Sequence, residues 1–180
     1  MSCSESSLLD VIARHGGVLA VGSHSTQYEK KNCPLCINEA YAAYLMECGK
    51  ISQITDNPEE LGRPEYRDFN DALWSSREVA TPHLVRLCLA FDGWSNLDDN
   101  QRLAIASRIY ADSLRETSFS PHMMPPPPVS IEGMMHDAMA TAWWAAEKAS
   151  RKNVHFADEV LIRAIDIWVR AAKSIISLET

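Results

Sequence analysis

Cys33 and Cys36 stand three residues apart in the run KKNCPLCINEAYAAYL, with Pro34 between them. Three chemistries suit that spacing: dithiol exchange, thiolate ligation of a metal, and simple packing of small apolar groups. A helix N-terminus presents unpaired backbone N–H groups and the positive end of the dipole, and so lowers a thiol pKa. With Pro34 as a first helical residue, Cys33 falls at the cap and Cys36 one turn further in. CPLC has the general form of a dithiol oxidoreductase motif. Such enzymes, however, set the motif in a βαβ unit, with a strand ending just before the first cysteine. Here eleven residues separate Val21 from Cys33, and no clear second strand follows.

Zinc accepts two thiolates at this spacing, and His24, nine residues upstream, is a candidate third ligand beside Cys33 and Cys36. A fourth would come from Cys48, Asp68, Asp71, His83 or water. Neither a second CxxC nor an HxxxH accompanies them. Glu39 follows Cys36 by three residues, which makes the two side chains neighbours on one helical face. A thiol, an imidazole and two carboxylates (Cys36, His24, Glu39 and Asp71) suit ligand binding, metal binding or nucleophilic chemistry. The plain alternative is that Cys36 is a small buried hydrophobe and Cys33 a cap. GxGxxG, P-loop, HExxH and GxSxG patterns are all missing from the sequence, so nucleotide cofactors and common hydrolase mechanisms have no support.

The elements that must position these groups read as helices. The chain has 180 residues, 46% of them hydrophobic and 23% charged, which suits a globular domain with a real core. Its formal charge is −7, and no Lys/Arg cluster exceeds a pair. A duplex-binding or anionic-membrane surface is therefore not expected. The first residues lack a basic, then apolar, leader, and the longest uncharged apolar run, AMATAWWAA, is too short to span a bilayer. Five cysteines without an export signal are expected as free thiols or thiolate ligands in the cytoplasm.

SESSLLDVIARHGG reads as a short helix with Leu8, Leu9 and Ile12 on one face and Gly16-Gly17 as its stop. VLAV is either one strand or a buried extended link. A helical pattern covers Pro34 to Cys48, closed by Gly49, and residues 49–74 are irregular. Ser75 to Glu78 matches a capping box, and Thr81-Pro82 opens HLVRLCLAF. In NLDDNQRLAIASRIYADSLRETS, Leu103, Ile105, Ile109, Tyr110 and Leu114 group toward one side, with Arg102, Arg108 and Asp112 mostly away from it. Pro125–Pro128 then form a stiff spacer. Two helical patterns, 131–151 and 156–177, follow as an antiparallel hairpin. The expected class is all-α, with a helical domain over 1–119, a Pro-rich spacer over 120–130 and the hairpin over 131–180.

The chain resembles a family of small proteins of actinobacteria and their phages. The resemblance lies in a loop histidine before a helix opening Cys36-Ile37-Asn38-Glu39-Ala40, an acidic-aromatic loop FNDALWSS containing Asp71, and a tail similar to HDAMATAWWAAEKA. It implies that His24, Cys36, Glu39 and Asp71 form a set and leaves Cys33 out of it. It also implies a phage or mobile-element origin, and it brings no activity with it. Two functions are expected to compete. The first is a non-enzymatic binding or regulatory protein, working through helical surfaces, by self-association of its C-terminal helices or with a protein partner. The second is a hydrolase or transferase using Cys36 with His24 and a carboxylate.

Overall fold

A computed structural model describes residues 5–22, 32–64, 67–72, 74–117 and 157–176. Six α-helices occur among them: α1 (Glu5–Arg14), α2 (Ile37–Glu47), α3 (Arg67–Asp71), α4 (Arg77–Ala90), α5 (Asp99–Thr117) and α6 (Ala157–Ile176), with a 3-10 turn at Trp94–Asn96. The described residues contain no strand, so the all-α class holds and VLAV is a link. The expected helix over 156–177 is α6. Its hairpin partner over 131–151, the Pro-rich spacer and His24 lie outside the described residues. The chain divides into two compact units, Met1–Leu89 and Ala90–Thr180, which places α5 with α6.

In the first unit α1 packs on α2. Leu8, Val11 and Ile12 are buried, an i, i+3, i+4 stripe, whereas Leu9 is 41% exposed and Val11 takes the inward place expected for it. Gly16 and Gly17 end α1 at φ 99° and 80°, and the Gly17 N–H donates to the Ile12 carbonyl at 2.9 Å. A Cβ on Gly16 would stand 3.2 Å from Pro34 Cγ, so the glycine lets the end of α1 lie against the CPLC segment. From Ile37 to Leu45 every residue of α2 is buried. A helix buried on every side belongs in the middle of a core, which is why no single stripe describes it. The Arg63 guanidinium lies over the Tyr41 ring, 3.2 Å from its centroid, and Arg63 also donates to the Cys88 carbonyl.

Two boundaries differ from expectation. α2 begins at Ile37, three residues later than Pro34 suggested, because Cys36 is its cap. α4 begins at Arg77, and Ser76 Oγ accepts the Val79 N–H at 3.3 Å, so the cap is one residue past Ser75. Glu78 still contributes: backbone N–H and Ser76 contacts hold its carboxyl below the ordinary range. Pro82 does not open this helix but lies within it. Cys33, Cys36 and Cys88 are free thiols as expected; Cys48, at the C-terminal end of α2, is disulfide-bonded. Thiol pairing depends on the approach of Cα atoms, which sequence spacing does not report.

In the second unit α5 packs on α6. Asp98 and Gln101 form a reciprocal capping box at the start of α5, with both bonds at 2.8 Å. Its inward stripe is Ile105, Ala106, Ile109, Asp112 and Ser113, whereas Leu103 is 38% exposed. Asp112 therefore lies on the inner side, not the outer, and Arg108 and Arg115 cover its carboxylate at 3.1 and 2.9 Å. α6 buries Leu161, Ala164, Ile165, Trp168, Ala171 and Ala172 at helical spacing. The Phe91 ring sits 5.6 Å from both Trp94 and Trp168. None of the described helices is long and apolar enough to cross a membrane.

Candidate functional site

At the head of α2 the spacing of Cys36 and Glu39 acquires its meaning. Cys36 is extended (φ −69°, ψ 169°), as an N-cap must be, and its thiol accepts the Glu39 N–H at 3.5 Å. Glu39 Oε2 reaches back and accepts the Cys36 N–H at 2.9 Å. This is a capping box with sulfur in the place usually held by a hydroxyl. Because the carboxylate turns back on the cap, Glu39 is fully buried without being an unpartnered charge.

The same arrangement sets the thiol chemistry. Cys36 is only 6% exposed, and its pKa rises from 9.0 to about 12. Burial is the largest cause; the Glu39 backbone N–H opposes it, and the nearby Glu39 carboxylate adds to the rise. The helix N-terminus does supply its two N–H groups, from Glu39 and Asn38, but desolvation and the carboxylate outweigh them. A thiol held in this form is a poor nucleophile and a poor metal ligand, since both tasks need the thiolate.

A polar scaffold holds the opposite wall. Asn70, 2% exposed, accepts the Ile37 N–H at 3.3 Å and donates to the Ala20 carbonyl at 3.0 Å and to Asp71 Oδ1 at 2.7 Å. Asp71 Oδ1 also accepts the Gly22 N–H at 2.9 Å. Arg77 spends its donors on the carbonyls of Leu19, Ala20 and Asn70. Burial lowers the Arg77 pKa, and the Asp71 charge partly restores it. Thr81 accepts the Leu19 N–H at 3.0 Å and donates to the Arg77 carbonyl at 2.7 Å. The irregular stretch 19–22 is thus fixed by side chains in place of a sheet.

Between these walls is a small cleft with room for about one water-sized group, lined by Gly22, Cys36, Ile37, Asn38, Asp56, Asn70 and Asp71. Asn38 is 3% exposed; its Nδ2 donates to the Asp56 carbonyl at 3.0 Å, and its Oδ1 is buried with no partner.

The chain matches no family model, no curated protein and no solved structure.

Of the residues singled out by sequence, Cys36 and Asp71 line one cleft and Glu39 is bonded to Cys36. Cys33 is half-buried and is not among the lining residues. Cys48 caps the far end of α2, about 18 Å along the axis from Cys36 at the usual helical rise, so it is no ligand partner for it. His83 stacks on Trp74 at 6.1 Å with the rings 9° apart. The side chain of Asp68, like His24, lies outside the description. The described residues hold no group of three or more His, Cys, Asp or Glu placed for a metal. Asn38, Asn70, Arg77 and Thr81 escaped the sequence reading. Polar residues within helical segments carry no spacing signal that separates a buried scaffold from a solvated face.

Proposed function

We propose that this chain is a non-enzymatic binding or regulatory protein, with the cleft at the head of α2 as its small-ligand site. One observation carries the reading: the thiol best placed for chemistry is used as a helix cap and is kept protonated, with a pKa of about 12. A Cys/His hydrolase or transferase needs a thiolate near neutral pH, or a base in contact with the sulfur. Among the described residues, the sulfur's near partners are backbone N–H groups and the carboxylate of Glu39, a residue that holds the cap in place. The cleft beside it is lined by Asn38, whose Oδ1 is buried without a partner, and this supports a site for a very small polar ligand.

The test is whether Cys36 matters as a thiol. Cys36→Ser retains a capping acceptor and removes the sulfur. Native folding and unchanged ligand response in this variant are the expected result. Loss of a measurable turnover in Cys36→Ser, with folding intact, would replace the binding reading with the enzymatic one.

A further inference from the structure

The unspent hydrogen-bonding capacity of the cleft specifies the kind of ligand it takes. The backbone donors at the head of α2 are committed. The Gly22 N–H goes to Asp71, the Cys36 N–H to Glu39 and the Ile37 N–H to Asn70. The Nδ2 atoms of Asn38 and Asn70 go to the carbonyls of Asp56 and Ala20, and Asn70 Nδ2 also goes to Asp71. The Asn38 and Glu39 N–H groups turn to the Cys36 thiol. Although the head of a helix ordinarily attracts anions, the backbone N–H groups at this one are turned to groups of the chain itself.

What remains is accepting capacity. Asn38 lines the cleft, and its Oδ1 is buried with no partner. Its orientation follows from the Nδ2 bond to the Asp56 carbonyl, since a flipped amide would set oxygen against oxygen. A buried acceptor left unmade is destabilising, and a donor ligand would remove that cost. Asp71 and Asp56, both acidic, line the same cleft. Together they outweigh the roughly half positive charge at the α2 N-terminus. Arg77, the cation that acts on Asp71, is engaged by backbone carbonyls and by Asn70 Oδ1.

We propose that this cleft binds the ammonium group of a small primary amine, donating to Asn38 Oδ1 and paired with Asp71. The proposal rests on the binding reading above and names the ligand class for that site. The enclosed part of the cleft has room for one water-sized group, which an –NH₃⁺ head matches and a quaternary ammonium exceeds.

The experiment is a ¹H–¹⁵N NMR titration of the full chain with methylammonium chloride. Tetramethylammonium chloride and sodium chloride serve as controls at equal ionic strength. Saturable shifts of the Asn38 side-chain amide and the Gly22 N–H with methylammonium alone are the expected result. Asp71→Asn keeps the oxygen that accepts from Gly22 and Asn70 while removing the charge. It should weaken the response by about tenfold, the scale of a lost charge-assisted hydrogen bond. Asp56→Asn, whose backbone carbonyl bond to Asn38 is untouched, serves as a second variant and should weaken it as well. Equal shifts with tetramethylammonium, no saturable shift, or full binding by Asp71→Asn would each overturn the proposal. A silent Asn38 would mean that the cleft holds only water. The two readings fail separately. A silent cleft with an inert Cys36 rejects the ammonium alone, whereas turnover dependent on the Cys36 sulfur rejects the binding reading itself.

Discussion

Cys36 and Glu39 satisfy each other's backbone donors at the head of α2, sulfur to one N–H at 3.5 Å and carboxylate to the other at 2.9 Å. This pairing decides what the most conspicuous motif of the chain does. It takes the thiol out of solvent, keeps it protonated and fixes where α2 begins.

The cap itself is open to measurement. Cys36→Ala removes the acceptor for the Glu39 N–H and should cost about 1–2 kcal/mol, as for loss of an N-cap and a small buried group. Cys36→Ser restores a favoured capping atom and should stay within about 1 kcal/mol of wild type. Urea denaturation midpoints at unchanged slope would show the order; a serine variant no better than alanine would contradict the capping role.

Glu39 should follow the same logic. Glu39→Gln keeps an oxygen for the Cys36 N–H and should be the milder change, whereas Glu39→Ala leaves that donor buried and should cost about 2 kcal/mol. Equal losses for the two would mean that the carboxylate charge, not the reciprocal bond, is what matters.

A pH dependence follows from the thiol. Its folded pKa, about 12, lies above the ordinary 9.0, so between those values the unfolded chain releases a proton that the folded chain retains. Its contribution is therefore complete below about pH 9 and is lost as pH rises toward 12, with a slope of at most about 1.4 kcal/mol per pH unit. Lysines and tyrosines titrate in the same range, so the relevant quantity is the difference from Cys36→Ser. Wild type should lose stability faster than the serine variant above pH 9; parallel curves would contradict a raised thiol pKa.

The helical class was legible because apolar residues recur at helical spacing, and α6 falls within a residue of the expected 156–177. Finer placement failed where two registers are nearly equivalent. Leu9 against Val11 and Ser75 against Ser76 differ by one or two positions, and packing chooses between them. Helical position sets Asp112 mostly away from the apolar side, yet two arginines let it lie on the buried stripe. Cys-x-x-Glu did carry the signature of a capping box, but cysteine stood where Ser or Thr is usual. Asn70 and Arg77 bind the irregular 19–22 link over about fifty residues of sequence, a separation that leaves no local trace.

That scaffold gives a further prediction. Arg77→Lys cannot reproduce a planar fork directed at several carbonyls and should destabilise the first unit by about 1–3 kcal/mol despite keeping the charge. Hydrogen exchange at the Leu19 and Ile37 N–H groups should quicken in the variant. Unchanged exchange at both would show that Arg77 does not hold the link in place.

The most direct measurement is site-resolved alkylation of Cys36 by iodoacetamide in the native protein, followed by mass spectrometry between pH 7 and 9. Cys36 is expected to stay unlabelled while the protein is folded and to label fully in denaturant, with His24→Ala making no difference. Rapid labelling of native Cys36 near neutral pH, lost when His24 is replaced, would contradict a structural cap and reveal an activated nucleophile.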